Sequence, residues 1–298
     1  MKLAIHGRGL DSDRIPDIVN LIWFAYKRGA TILYSEPLLH EIEGQGIDHP
    51  AGDVFDLSQP LSRPRCDLLL VLGGDGTFLS SLGIVQDSGI PVVGINYGRL
   101  GFLTAAEAGA GESLLEEVLD GKYTVVGRPV LSVRGLSQPL PADFYPYALN
   151  EIAVSGLHQG LVGVTVSIDG RKLPEFWADG LLIATQTGST AYSLSLGGPI
   201  VLPGADVMVV SPIAPHNLNV RPMVVPLSAA IDIQVTPVRG GITVSADNHA
   251  AELLPGSRFR VQRAPFDLQC INLTDNSFIN ALRTKLHWGE DFRNANEA

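Results

Sequence analysis

The stretch CDLLLVLGGDGT at residues 66–77 constrains the fold more than any other. Its unbroken apolar residues, Leu68–Leu72, lack the alternation of a half-solvated strand. They suit a strand covered on both faces, as in a parallel sheet flanked by helices. Gly73, Gly74 and Gly76 then end the strand, and a helix is predicted over 77–86. Strand, glycine turn and helix in that order form a βαβ building block, whose ligands bind beyond the carboxyl ends of the strands. Gly73 and Asn96 each directly follow such a strand. The neighbouring sequence agrees: strands are expected at 3–6, 31–34 and 91–95. A helix at 14–28 follows from the spacing of Ile15, Ile18, Val19, Ile22 and Phe24, and another at 112–119 is stopped by Asp120-Gly121.

Past residue 123 the texture changes. Short β-rich runs at 123–126, 130–133, 151–155, 162–168, 180–184, 230–237, 241–245 and 258–262 are parted by turn signals such as Asp169-Gly170 and Arg239-Gly240-Gly241. One helical interruption is expected at 190–196, and the run FINALRTKL after Ser277 again has helical spacing. The expected fold class is α/β plus all-β. A Rossmann-like α/β domain occupies 1–128, a mostly antiparallel β-rich domain occupies 129–273, and the tail, 274–298, is a candidate to rejoin the first domain.

With 298 residues, 45% hydrophobic and 17% charged, the chain has material for real cores and the wrong balance for disorder. The net charge of 21 − 31 = −10 argues against non-specific binding to nucleic acid or anionic membranes. No apolar run nears the roughly 20 residues that span a bilayer. The start, MKLAIHGRGL, does not read as a signal peptide, and Cys66 and Cys270 lack the CxxC spacing of a metal or redox pair. A reduced, soluble, cytoplasmic protein is the expectation.

The glycine turn carries the chemistry. It bares backbone N–H groups at the positive end of a helix, which suits phosphate. Its spacing is neither GxxxxGK[ST] nor a full GxGxxG, and no lysine follows it. Asp75 stands among those amides, where a carboxylate repels phosphate unless it binds a metal or takes a proton. As general base toward an attacking hydroxyl it would contribute ~10²–10⁴ in rate. As a plain N-cap of the following helix it would serve structure alone.

Gly73-Gly74-Asp75-Gly76-Thr77 resembles the GGDGT motif shared by NAD kinases, diacylglycerol and sphingosine kinases and, more loosely, 6-phosphofructokinases. Further segments narrow the resemblance to NAD kinases. Asn96-Tyr97-Gly98-Arg99-Leu100-Gly101-Phe102-Leu103 is similar to their NxGxLGFL segment, and Asn150-Glu151 to their NE pair. Residues 179–200, DGLLIATQTGSTAYSLSLGGPI, resemble their long DG…ATPTGSTAYSLSAGGPI signature. Pro212, Pro215-His216 and Arg221-Pro222 resemble their PxxPHxLxxRP stretch.

The resemblance implies transfer of the γ-phosphoryl group of ATP, or of polyphosphate, to the 2′-hydroxyl of the adenosine ribose of NAD. Asp75 would be the base, and Mg²⁺ or another divalent cation would share the charge burden with the amides of Gly73, Gly74, Gly76 and Thr77. Asn96 belongs to the same implied site. Asn150 and Glu151 would bind the adenosine end, and Asp179 the nicotinamide side in the partner half of the site. Thr187, Thr190, Ala191, Tyr192, Ser193, Leu194 and Ser195 would line adenine and ribose, with Tyr192 free to stack. A homodimer or homotetramer is implied, each site completed by a neighbour.

Stripped of the resemblance, the same residues have plainer readings. Asn150-Glu151 reads as a turn, Asp179-Gly180 as a hairpin turn, Thr187–Thr190 as an N-cap and Tyr192 as core. His6, His40, His49, His158 and His287 lack metal-ligand spacing and are expected on the surface or in ordinary hydrogen bonds; His216 is expected to be structural. Three departures from the family pattern stand out. Gln186 replaces the proline of TPTGSTAY, losing a φ constraint and restoring an N–H. Trp177 stands where a basic residue is common and can stack but not pair with phosphate. Asp247-Asn248-His249 replaces Asp-Gly-Gln, with Asn248 able to take φ > 0 and His249 a changed substrate contact. A lipid or sugar kinase and a non-catalytic NAD(P)-binding sensor are the competing readings. The acidic surface disfavours the first, and Asp75 the second.

Overall fold

The computed structural model describes residues 1–98, 101–157, 160–217, 219–237, 239–273 and 278–286. Arg99, Leu100, His158, His287 and the tail at 274–277 and 287–298 lie outside the described residues. The chain divides into two compact units, one of residues 1–126 with the segment from Gln269 onward, the other of residues 127–268.

The first unit runs β1 (Lys2–Gly7), α1 (Ile15–Lys27), β2 (Thr31–Ser35), α2 (Glu36–Gly44), β3 (Asp53–Phe55), β4 (Leu68–Leu72), α3 (Asp75–Val85), β5 (Val92–Asn96), β6 (Ala106–Glu107) and α4 (Gly111–Leu119). Its strands are parallel in the order β3-β2-β1-β4-β5, with Ile5 of β1 opposite Tyr34 on one side and Leu70 on the other. Ile15, Ile18, Val19 and Ile22 of α1 and Leu114, Leu115 and Val118 of α4 close over Leu3, Ile5, Leu68, Leu70 and Leu72. Each such side chain, once buried, contributes about 1.5–3 kcal/mol. All five residues of β4 are buried, as its unbroken apolar run requires. Its carboxyl end therefore delivers Gly73 to a fixed place at the sheet's edge.

The second unit begins within β7 (Thr124–Gly135), which starts in the first. It continues with β8 (Tyr147–Ala148), β9 (Glu151–Gly156), β10 (Val162–Ile168), β11 (Arg171–Lys172), β12 (Phe176–Ala178) and β13 (Gly180–Thr185). A 3-10 turn at Thr187–Thr190 leads into the single-turn α5 (Tyr192–Ser195). Then come β14 (Val207–Ile213), β15 (Met223–Pro226), β16 (Ile231–Pro237), β17 (Ile242–Ala246), β18 (His249–Leu253) and β19 (Arg258–Asn272), and α6 (Phe278–Leu286) closes the chain in the first unit.

An antiparallel sheet in the order β15-β14-β13-β9-β17-β18 faces the antiparallel set β11-β10-β16-β19. Ile152, Val154, Leu181 and Ile183 from one meet Val164, Val166, Ile233 and Val235 from the other in one core. β9 and β17 bury alternate residues, the period-2 pattern of strands with one inward face.

Several expectations need correction. The helix predicted at 77–86 starts at Asp75, because extended Gly74 forms the cap and leaves Asp75 and Gly76 to the first turn. The runs at 123–126 and 130–133 are one strand, β7, and 258–262 extends to Asn272. Each strand runs through a proline, Pro129 in β7 and Pro265 in β19, and the two strands pair. Asp179-Gly180 is no hairpin. There the chain leaves β12, paired with β10, and enters β13 of the other sheet. Among the described residues, no helix is long and apolar enough to cross a membrane.

Candidate functional site

In the first unit the glycine turn is built as its sequence suggests. Gly73 has φ +148°, and a Cβ there would lie 2.6 Å from Thr77 Oγ1, so only glycine fits. The turn makes Gly74 the cap of α3, and two of the amides expected to be bare are already used: the Gly73 N–H bonds the Ile95 carbonyl at 3.0 Å and the Thr77 N–H the Gly74 carbonyl at 3.1 Å. Asp75 does not cap the helix. Its Oδ2 accepts the Phe102 N–H at 2.7 Å and its Oδ1 the Leu103 N–H at 3.0 Å. Gly101 lies flat against the carboxylate: a Cβ there would come within 2.0 Å of Oδ1. Asn96 accepts the Gly98 N–H through Oδ1 at 2.9 Å, shaping the start of the same loop. The NxGxLGFL-like segment is thus the clamp that aims Asp75.

Behind α3 stands His6, fully buried on β1. Ser80 Oγ donates to the Thr77 carbonyl at 2.6 Å, so it accepts from His6 Nε2 at 3.1 Å. Nδ1 then accepts from Ser35 Oγ at 3.0 Å, which assigns the tautomer from the network. Burial, aided by the Arg8 charge, pushes the imidazole down to about 4, so it stays neutral at physiological pH. His6 accordingly ties the first turn of α3 to the sheet.

In the second unit the organiser is Asp247. Its carboxylate accepts the N–H groups of Leu149, Asn150 and Glu151 at 2.7, 2.9 and 3.0 Å. It occupies the first position of the two-residue loop joining β17 to β18 with φ +46°, a conformation expected instead at Asn248. An Asp tolerates that region because its short polar side chain can bond locally. Asn150 and Glu151 are consequently no idle turn. Asn150 Oδ1, Glu151 Oε2 and Gln186 Oε1 are buried without a hydrogen-bond partner among the described residues. Such acceptors are costly unless a ligand satisfies them.

Burial, with the Asp247 carboxylate beside it, pushes Glu151 up to about 7. Burial raises Asp247 as well, but three backbone N–H groups and His249 act against it there. Both carboxyls are thus pushed toward the protonated form. Loop 185–190 folds over the pair: Thr185 N–H and Oγ1 bond the carbonyls of Asn150 and Leu149 at 2.8 and 2.6 Å. Thr187 is buried, and Thr190 donates to its carbonyl at 3.3 Å. Gln186 keeps φ −55°, the value proline would impose, so the loop is shaped without it. Tyr192 is 43% exposed rather than core, Ala191 and Leu194 are half-buried, Ser193 is buried and Ser195 exposed. The His249 ring packs tilted against Tyr145, centroids 5.6 Å apart.

Trp177 and Asp179 are not brought to this cluster. Gly180 pairs with Ser155 and Ala184 with Glu151, so Asp179 adjoins one end of β13 and Asn150 the other. At ~3.3 Å per residue, the six steps from Asp179 to Thr185, opposite Asn150, separate them by roughly 20 Å. Trp177 is 42% exposed, its N–H donating to Asn217 Oδ1 at 3.2 Å and its carbonyl accepting the His216 N–H at 2.9 Å. Sequence reading missed Asp247 and His6 as organisers and Gly101–Leu103 as the clamp, although the glycine cluster at 94–101 marked a close backbone approach.

Residues 45–123 match the family described as ATP-NAD kinase N-terminal domain, and residues 149–273 the ATP-NAD kinase C-terminal domain. A NAD kinase of Christiangramia forsetii is 38% identical over 295 residues, covering 99% of this chain and 100% of that relative. Among solved structures, yeast NADH kinase complexed with NADH superimposes with a TM-score of 0.84 at 25% identity, covering 98% of this chain and 89% of that one. A NAD kinase from Archaeoglobus fulgidus in complex with ATP gives a TM-score of 0.72 at 24% identity, with coverages of 96% and 99%.

Proposed function

The chain belongs to the NAD kinase family, and from that premise we propose that Asp75 is the general base that takes the proton of the 2′-hydroxyl of NAD's adenosine ribose as that oxygen receives the γ-phosphoryl group of ATP, giving NADP and ADP. The observation that carries this reading is the aimed carboxylate of Asp75, held by two amides of a loop beside a phosphate-suited turn. The hydroxyl oxygen bonds to the γ-phosphorus, its proton moves to Asp75, and the bond from phosphorus to the oxygen of departing ADP breaks. Little covalent work remains, so positioning and charge neutralisation dominate. The turn at Gly73, Gly74, Gly76 and Thr77 lies beside the phosphates, which the positive end of α3 attracts, with Asn96 shaping the adjoining loop.

Asn150 and Glu151 hold the adenosine end. Their unpartnered buried oxygens support this, and the upward push on Glu151 favours a protonated form able to donate to a hydroxyl or ring nitrogen. Thr187, Thr190, Ala191, Ser193, Leu194 and Ser195 line the adenosine, and exposed Tyr192 offers a ring face. His249, beside Asp247, is a further substrate contact. The yeast relative was solved with NADH, and NADH belongs beside NAD among the acceptors to be offered. A divalent cation such as Mg²⁺ takes one or two carboxylates plus substrate phosphates rather than a protein cage. Among the described residues no cluster of three His, Cys, Asp or Glu forms a cage, and Asp75 fits the lesser demand. Bound there, the ion would neutralise phosphate charge.

Trp177 and Asp179, at the far end of β13, are assigned to the site of a neighbouring subunit in a homodimer or homotetramer. Light scattering tests this, and a fully active monomer would refute it. Cys66 and Cys270, both buried thiols not joined in a disulfide, are in keeping with a reducing, cytoplasmic location. Asp75→Asn tests the base: kcat falls by at least ~10²-fold while NAD affinity by calorimetry holds. Near-normal turnover would sink the assignment.

A further inference from the structure

Lys285, on α6, forms no ion pair among the described residues. Its Nζ lies 5.3 Å from the centroid of the Phe102 ring, and Phe102 is the residue whose N–H holds Asp75. The Phe278 ring of the same helix packs 6.4 Å from Phe102, which seats α6 against the clamp. The charges facing the ammonium are the carboxylates of Asp75 and Glu107, and burial lowers its affinity for a proton against their pull. Among the described residues neither reaches it as an ion pair. A half-buried ammonium that is near a carboxylate yet unpaired is unfavourable unless an anion completes it. The glycine turn has the converse deficit. It is suited to phosphate but carries a carboxylate in its midst and no lysine of its own.

We propose that Lys285 is a catalytic residue of phosphoryl transfer, its ammonium pairing with the oxygens of the phosphoryl group as that group passes to the acceptor hydroxyl. The proposal rests on Asp75 marking the transfer site. The acceptor oxygen bonds to phosphorus, its proton goes to Asp75, the bond to the leaving ADP oxygen breaks, and Lys285 keeps its proton throughout. A lysine ammonium on its flexible stem suits a phosphoryl group in motion, serving as a point charge rather than a fixed fork. It also offsets the repulsion that Asp75 would otherwise exert on that group.

The experiment compares Lys285→Met, Lys285→Arg and Asp75→Asn with the wild type in steady-state kinetics, with NAD binding by calorimetry and thermal unfolding as controls. The Met variant keeps the apolar stem over Phe102 and is expected to lose at least ~10²-fold in kcat with NAD affinity within about twofold. The Arg variant should regain at least about tenfold of that loss, because a charge is restored. Arg283→Ala, exposed on the same helix, should keep wild-type turnover. A Met variant within about threefold of wild-type kcat overturns the proposal. So does an Arg variant no better than the Met variant, since α6 packing alone would then explain the loss. Should Lys285→Met fail to fold, Lys285→Gln is judged by the same criteria. Wild-type turnover in Asp75→Asn would instead remove the base assignment, and the lysine result would be read separately.

Discussion

Replacing Gly101 by alanine tests whether the clamp on Asp75 matters to catalysis. The new Cβ would sit 2.0 Å from Oδ1, 2.3 Å from Cγ and 2.7 Å from Oδ2 of Asp75. Real contacts do not fall below 3.0 Å, so the carboxylate or the loop must retreat by about 1 Å. The hydrogen bonds from Phe102 and Leu103, at 2.7 and 3.0 Å, cannot both survive that retreat. Bonds to a charged acceptor contribute about 1.5–3 kcal/mol each, so losing one or both costs roughly 2–5 kcal/mol of local order. Much of that is recovered as the freed carboxylate meets water, leaving a global loss of about 1–2 kcal/mol. Catalysis should suffer more, because a base displaced by ~1 Å can lose about 10²-fold in rate. The assay is steady-state turnover beside urea unfolding and NAD calorimetry. A Gly101→Ala enzyme within about threefold of wild-type kcat would show that aiming Asp75 is unnecessary.

His6 should make stability fall in acid. Its folded value of about 4 lies below the ordinary 6.5, so its contribution is complete above pH 6.5 and is lost as pH drops toward 4, by about 3 kcal/mol. In His6→Gln this loss should be absent from urea unfolding at pH 7 and pH 4, and an unchanged pH dependence would contradict the buried neutral imidazole. Glu151 should act in the opposite sense. Raised to about 7, it is stabilising when protonated below pH 4.5, and that stability is lost as pH rises to 7, again by about 3 kcal/mol. Glu151→Gln should therefore gain on the wild type at pH 8 by about 1–3 kcal/mol while binding NAD more weakly; an equal loss at every pH would be contrary evidence. Gln186→Pro should raise stability by about 0.4–1 kcal/mol, since φ is already −55° and extended Thr185 precedes it. A loss in thermal unfolding would mean that the Gln186 N–H or carboxamide is needed.

The fold class was legible because the two stretches of sequence differ in texture. Unbroken apolar runs announced β4 and β5 as interior parallel strands, and short β-rich runs parted by turn signals announced the antiparallel strands such as β9 and β17. What failed was punctuation. The runs expected at 123–126 and 130–133 join in β7 and that at 258–262 extends through β19, whose ladder partners come from distant sequence. The glycine turn and the loop 185–195 were legible as motifs because local backbone shape demands glycine, serine and threonine at set positions. Their supports were not, because no local spacing links Asp247 to the amides of 149–151, roughly a hundred residues away. His6 was read as ordinary for the same reason: its partners Ser35 and Ser80 come from other elements.

The central claim is a reaction on one particular hydroxyl. Purified protein is incubated with NAD, ATP and Mg²⁺, and the product is followed both by an NADP-specific dehydrogenase and by phosphorus NMR. The account predicts NADP bearing a 2′-phosphate, formed in step with ADP and absent from the Asp75→Asn reaction. NAD bound tightly with no NADP formed, or a phosphate placed elsewhere than the 2′ position, would contradict it.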